Sequence, residues 1–390
     1  MRRSALFDHG FRPFFLFAGI HAVLAVPLWL WIYVRGGAPF TTLPPQQWHG
    51  HEMIYGFAGA AIAGFLLTAV PSWTQSPGFG RRSLMWLTAL WIGGRVAVAL
   101  TGYLPMWLVG MIELSFLPVL AVLLAPSLLR VRNRNTAMLA VIAVLWLIDA
   151  AFIAAMYTGN AWRAQQALRL AIDLVLILVT VIGGRIVPAF TSNALRRHGE
   201  TAELVTRPWL DRLVIAVMIA VAVVDAIWPL SIAGGILAAL AAAAHALRLS
   251  GWRSLRTLSE PIVWALHIAY AWLPLGFVLK AGSLLFGWPW AAHWLHSFTM
   301  GVFGTMVLAV MTRASLGHTG RPLVVRHSIA VAYLVLTAAV IVRVLGPAPG
   351  ILDYRITMIA AAALWTIAFL IYVIVYAPIL VQPRADDKPS

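Results

Sequence analysis

The chain has no cysteine among its 390 residues. That excludes disulfides, iron–sulfur clusters, thiolate ligation and thiol nucleophiles. Charge is scarce as well. Only 11% of residues are charged, less than half the roughly 25% of a soluble domain. Acid is scarcer than base, with 13 Asp+Glu against 28 Lys+Arg. No Walker-type, dinucleotide-binding, HExxH or nucleophile-elbow pattern occurs. What the chain has in abundance is apolar side chain, 62% of residues, with a mean hydropathy of +0.87. Its natural solvent is lipid rather than water.

Apolar runs of the length a bilayer demands, about 20 residues each, lie near 14–34, 49–73, 83–101, 105–126, 136–157, 164–184, 210–228, 231–249, 261–286, 291–312, 327–345 and 352–380. They predict an all-α integral membrane protein of about twelve transmembrane helices in a single polytopic domain, 1–390. The connections alternate in charge. One set runs from Arg2, Arg3 and Arg12 through Arg81, Arg82, Arg130, Arg132, Arg134, Arg196 and Arg197 to Arg384 and Lys388. The other holds little more than Arg35, Arg163 and Arg355. The positive-inside rule places the crowded side, with both termini, in the cytoplasm. The formal net charge of +15 then reads as topology and contact with the lipid bilayer, not as nucleic-acid binding. The run after Arg12 reads as a retained first span rather than a cleaved leader. The polar connection near 185–209 is the longest.

A repeat is visible. Val70-Pro71-Ser72-Trp73-Thr74 closes the second span, Val187-Pro188-Ala189-Phe190-Thr191 the sixth, and Val310-Met311-Thr312-Arg313 the tenth, about 120 residues apart each time. Arg95, Asp225 and Arg343 fall in the third, seventh and eleventh spans. The spacing suggests three pseudo-repeated four-helix units, 1–135, 136–259 and 260–390. Coincidence among similar membrane helices is the plain alternative.

Ionisable groups inside the bilayer are costly and mark function or buried pairing. The densest cluster is Trp48-His49-Gly50-His51-Glu52-Met53, at the start of the second span. On a regular helix His49 and His51 diverge by about 200°, so both reach one metal only if the helix has not yet begun. His293 and His296 stand three apart at the start of the tenth span and share a face. These four imidazoles, at a similar depth, are the candidate metal ligands, as axial partners of a haem or a nitrogen cage for copper. Arg169 is the candidate for holding haem propionates. His267 and Tyr270, three apart in the ninth span, are candidates for a second, catalytic site or a proton path. His21 is a weaker candidate. His245 reads as interfacial, and His9, His198 and His327 as solvated. Glu113, Asp149, Asp173, Asp225, Arg95 and Arg343 read as interhelical ion pairs or a proton path. Arg313–Pro322 reads as a short glycine-broken basic loop. For each histidine the plain alternative is a hydrogen-bonded interface residue.

At these motifs the chain resembles the NnrS family of bacterial membrane proteins. The resemblance is carried by Gly10-Phe11-Arg12-Pro13-Phe14-Phe15, Trp48 through Met53, Gly64 through Thr74, Gly183 through Thr191, Leu266 through Gly276 and His296 through Leu323, in family order. Ser72 stands where Asn is common. The resemblance implies a twelve-helix inner-membrane protein containing haem, more naturally b-type, and copper. It implies a role with nitric oxide in the nitrosative stress response, with an electron donor not identified by the sequence. It leaves the reaction open between nitric oxide reductase-like oxidoreductase, metal or haem handling, and sensing without catalysis. Three four-helix units also resemble the haem–copper oxidase catalytic subunit. That fold takes its copper ligands from the sixth and seventh spans, where this chain has no histidine.

Overall fold

The computed structural model describes residues 4–131, 134–200 and 204–386. Arg2, Arg3, Arg132 and Lys388, which enter the charge pattern, lie outside the described residues. The long helices are α1 Phe11–Arg35, α2 Pro45–Thr74, α3 Arg81–Ala99, α4 Met106–Val131, α5 Ala137–Tyr157, α6 Ala161–Arg197, α7 Pro208–Ile227, α8 Ile232–Ser250, α9 Pro261–Phe286, α10 Pro289–His318, α11 His327–Leu345 and α12 Tyr354–Val381. Ten of them are long and apolar enough to cross a membrane. The other two, α3 and α7, fall where the third and seventh spans were expected. Each carries three charged residues, Arg81, Arg82 and Arg95 in α3 and Asp211, Arg212 and Asp225 in α7. The all-α membrane class is therefore as the hydropathy predicted.

Two expectations about connections need correction. The polar segment after Gly184 is not a loop. Helix α6 runs on through Pro188 to Arg197. Helix α10 likewise continues to His318, so the expected loop from Arg313 is helical over most of its length. It turns only at Gly320, with φ of 69°. The physical reason is the same in both places. In an apolar medium a helix satisfies its own backbone groups, and threonine hydroxyls are satisfied within it by donating to the carbonyl four residues back. Thr191 does so to Val187 at 2.8 Å, Thr312 to Leu308 at 2.9 Å and Thr319 to Ser315 at 2.6 Å. Thr74, at the true end of α2, makes the same bond to Val70 at 2.8 Å.

Contacts divide the chain into two compact units. Unit 1 comprises Met1–Ala171, Ala314–Pro322 and Phe369–Ser390. Unit 2 comprises Ile172–Arg313 and Leu323–Ala368. In unit 1, Gly19 faces the Tyr372 ring and Gly64 faces Phe15, and a Cβ at either would strike those rings. Small residues let helices approach closely where lipid offers no hydrophobic drive. The buried Arg12 of the Gly-Phe-Arg-Pro motif donates to the carbonyls of Leu380 at 2.9 Å and Gln382 at 2.6 Å. It thereby caps the last turn of α12, where orphan carbonyls and the helix dipole favour a cation. In unit 2, α8 presents Ala238, Ala241 and Ala242 to the interior, and Gly235 lies against Leu284 and Leu285 of α9.

Candidate metal centre and its surroundings

Helix α2 is not a uniform α-helix. Pro45–His51 is α-helical, Glu52–Ala58 is π-helical, and Gly59–Thr74 is α-helical again. A π turn widens the helix and is frequently found at functional sites. Here the Trp91 indole donates to the carbonyl of Gly56 at 3.2 Å. A Cβ at Gly56 would strike the His21 ring, so glycine lets α1 approach the π turn. Helix α10 repeats the arrangement, with π turns over Ser297–Gly304. Each π segment opens on the residue after a histidine singled out from the sequence, His51 in one and His296 in the other.

His51 is fully buried. Its Nδ1 faces Glu52 Oε1 at 3.3 Å, and its Nε2 faces Asp149 Oδ1 at 3.1 Å and Glu113 Oε1 at 3.7 Å. Glu52 is held in turn by Arg95 Nη1 at 2.7 Å, and its second oxygen lies 3.4 Å from His21 Nε2. Arg95 also pairs with Glu113. The Glu113 Oε2 atom is buried with no hydrogen-bond partner. One donor atom from each of His51, Glu113 and Asp149 lies within 4.8 Å of the others. These residues come from α2, α4 and α5. Three buried carboxylates, Glu52, Glu113 and Asp149, thus face one guanidinium. The cluster is short of two positive charges, and burial makes such a deficit expensive. Protons or a cation can fill it.

His49 turns away from His51, as helical geometry requires, and stacks on Trp29 with ring centroids 4.3 Å apart. Arg169 is half-buried in α6. His293 precedes the helical part of α10 and meets Arg343 Nη1 at 3.3 Å. His296 is half-buried at the head of the second π segment. The two histidine pairs belong to different units, His49 and His51 to unit 1 and His293 and His296 to unit 2.

His267 and Tyr270 share a helix but serve different networks. His267 Nδ1 meets Ser254 Oγ at 2.8 Å and its Nε2 meets Thr191 Oγ1 at 2.8 Å. Thr191 already donates to Val187, so it accepts from Nε2–H, and Ser254 donates to Nδ1. Both nitrogens are thereby occupied. The fully buried Tyr270 hydroxyl lies 2.7 Å from His245 Nδ1 and 3.2 Å from Arg248 Nη1. A guanidinium only donates, so the tyrosine proton goes to His245 Nδ1. His245 then carries its own proton on Nε2, an atom that is buried and has no partner. Arg248 completes the network on Asp211, at 2.8 Å from Nε, and on the Thr180 carbonyl, at 2.8 Å from Nη1.

The interfacial reading of His245 needs correction. The residue has no exposed surface, because Tyr270, Phe277 and the Arg248 network cover this end of α8. Nothing in the sequence signalled Lys280, which is buried in α9 and paired with Asp225. Nor did it signal that Glu113 and Asp149 meet His51.

Fold and cluster together define a multi-pass helical membrane protein with a histidine–carboxylate centre inside its first unit. A family model described as "NnrS protein" matches residues 5–384. The chain belongs to the NnrS family. No curated protein matches it at a significant level.

Proposed function

We propose that this chain is a haem-bearing protein of the bacterial inner membrane that binds nitric oxide and removes it by reduction in the nitrosative stress response. The observation that carries this reading is the pair of π segments, each opened by one of the histidines picked out from sequence. Such turns concentrate at functional sites.

The surroundings of His296 suit a prosthetic group. Ser297 Oγ and Thr305 Oγ1, at the two ends of its π segment, are buried with no partner, and a group with a polar edge would meet them. His293 and His296 are therefore the ligands this reading keeps in unit 2. His51 does not suit an axial role, because both its nitrogens face carboxylates. When bound, haem supplies an iron that takes nitric oxide as a ligand. The protein's own part is to exclude water and to hold charge. Nitric oxide is small and apolar, so it crosses the lipid-facing surface without a polar channel. Its reduction takes up two electrons and two protons per pair of molecules, the electrons coming from a donor protein or quinol. In this reading both termini lie in the cytoplasm, on the side that the arginine-rich connections favour by the positive-inside rule.

The test is a set of reduced-minus-oxidised spectra of the purified chain, with and without nitric oxide, for the wild type and for His49→Ala, His51→Ala and His296→Ala. The expected result is a haem band that shifts with nitric oxide and is lost in His296→Ala. Full haem retention in that variant removes the ligand assignment. Binding of nitric oxide with no electron-dependent consumption turns the reading from reductase to sensor.

A further inference from the structure

We propose that His51, Glu113 and Asp149 form a binding site for one divalent first-row cation, with Glu52 and Arg95 as its supporting shell. The proposal shares the first π segment with the haem reading but none of the ligands that reading keeps, which lie in unit 2.

The donor set comes first. Tetrahedral coordination with bonds of about 2.1 Å needs donor atoms about 3.4 Å apart. The donors here are 3.1 Å apart for His51 Nε2 and Asp149 Oδ1, 3.7 Å for His51 Nε2 and Glu113 Oε1, and within 4.8 Å overall. Small side-chain movements close that triangle on an ion and leave a fourth position open. Glu113 Oε2, buried and without a partner, gains one if the carboxylate turns to chelate.

The supporting shell comes second. A metal-bound imidazole usually donates its other N–H to a carboxylate, which fixes the tautomer and aims the lone pair. Glu52 Oε1 stands 3.3 Å from His51 Nδ1. Arg95 fixes the same oxygen at 2.7 Å, and His21 Nε2 meets the other, Oε2, at 3.4 Å. His51 Nε2 is thus left facing the other two carboxylates as a lone pair.

Charge is the third observation. Glu52 is matched by Arg95. Glu113 and Asp149 then bring two negative charges to the space in front of His51, and one divalent ion makes the whole cluster neutral. In a low-dielectric interior, neutrality of a buried cluster is a strong constraint.

The chemistry of the set also selects the metal. One imidazole and two carboxylates suit a divalent ion such as Zn²⁺, Fe²⁺, Mn²⁺ or Cu²⁺, whereas Cu⁺ prefers thiolate and thioether ligands. Copper in its reduced form does not fit this trio.

The test uses the full chain purified in detergent and dialysed against a chelator. It is then titrated with Zn²⁺, Fe²⁺, Mn²⁺ and Cu⁺ separately, and bound metal is measured by elemental analysis. The wild type is expected to take up one divalent ion per chain, and Cu⁺ only at background. Asp149→Asn and Glu113→Gln are expected to lose that ion. Glu52→Gln is expected to weaken it 10- to 100-fold, the usual size for a supporting carboxylate. Gel filtration shows which variants fold. X-ray absorption of the metal-loaded wild type keeps the proposal testable even if none does, one imidazole with oxygen neighbours supporting this trio and two or more imidazoles overturning it. A wild type that binds no divalent ion, or one that binds it equally well in Asp149→Asn, overturns the proposal and leaves protons as the balancing charge. The haem spectrum, read on the same samples, reports separately on the proposed function.

Discussion

The two units handle buried charge in opposite ways. In unit 1, acids outnumber their base. Glu52, Glu113 and Asp149 gather around Arg95 and His51. In unit 2 two bases each meet one acid, Lys280 with Asp225 and Arg248 with Asp211, and Arg343 meets the neutral His293 and Tyr354. The remaining work there is done by neutral groups, Tyr270 with His245 and Thr191 with His267. The comparison teaches which charges are structural. A matched pair is a finished contact. A set of carboxylates on three helices that exceeds its one guanidinium needs further positive charge, from protons or from a cation.

The comparison breaks most visibly at the two central cations. Arg95→Leu leaves three buried carboxylates without their guanidinium and is expected to cost about 3–5 kcal/mol, seen as a large drop in the detergent unfolding temperature. Lys280→Met should cost a similar amount, but with a different rescue. The double change Lys280→Met with Asp225→Leu is expected to return to wild-type stability or better, because an apolar replacement of a matched buried pair is commonly neutral. Arg95→Leu with Glu113→Gln should stay destabilised, since Glu52 is still buried without the guanidinium that held it. Equal rescue in both units would erase the distinction.

Smaller effects sharpen it. Arg12→Ala removes the cap of α12 and is expected to cost about 1–3 kcal/mol, read as earlier unfolding or proteolysis of the C-terminal segment. Tyr270→Phe strips the donor from His245 and the acceptor from Arg248, with an expected loss of about 1–2 kcal/mol. That loss should not be accompanied by any change in divalent metal content. The smallest effect concerns pH. Burial, with Arg12 close by, holds the His9 imidazole below its usual pKa. The unfolded chain then binds this proton more readily than the folded one. Stability from this residue is present above the ordinary histidine value and is lost as pH falls through it. His9→Phe should flatten that slope between about pH 7 and pH 5, as measured by unfolding temperature against pH.

The helical membrane class was legible because hydropathy and arginine placement are local signals that lipid enforces. The ends of α6 and α10 were not, because polar residues near a membrane surface read as loop although the helix continues through them. The candidate site was legible in part. Trp48–Met53 stood out, and Glu113 and Asp149 were visible as buried acids. Their meeting at His51 joins positions 62 and 98 residues apart in the chain, and no local pattern records such a pairing. The π turns were invisible for another reason. A widened turn is fixed by what packs against it, here Trp91 and His21 on α2, and hydrophobic period alone does not report it. His245 was misplaced because a histidine near a helix end usually meets water, whereas this one is roofed by Tyr270 and Phe277.

The central claim is that unit 1 completes its charge with a metal ion, and X-ray absorption at the edge of the bound metal reads it directly. The account predicts a shell of nitrogen and oxygen at about 2.0–2.2 Å, with outer scattering from a single imidazole and none from sulfur. Two or more imidazoles, a sulfur neighbour, or an unchanged spectrum in Asp149→Asn would contradict it.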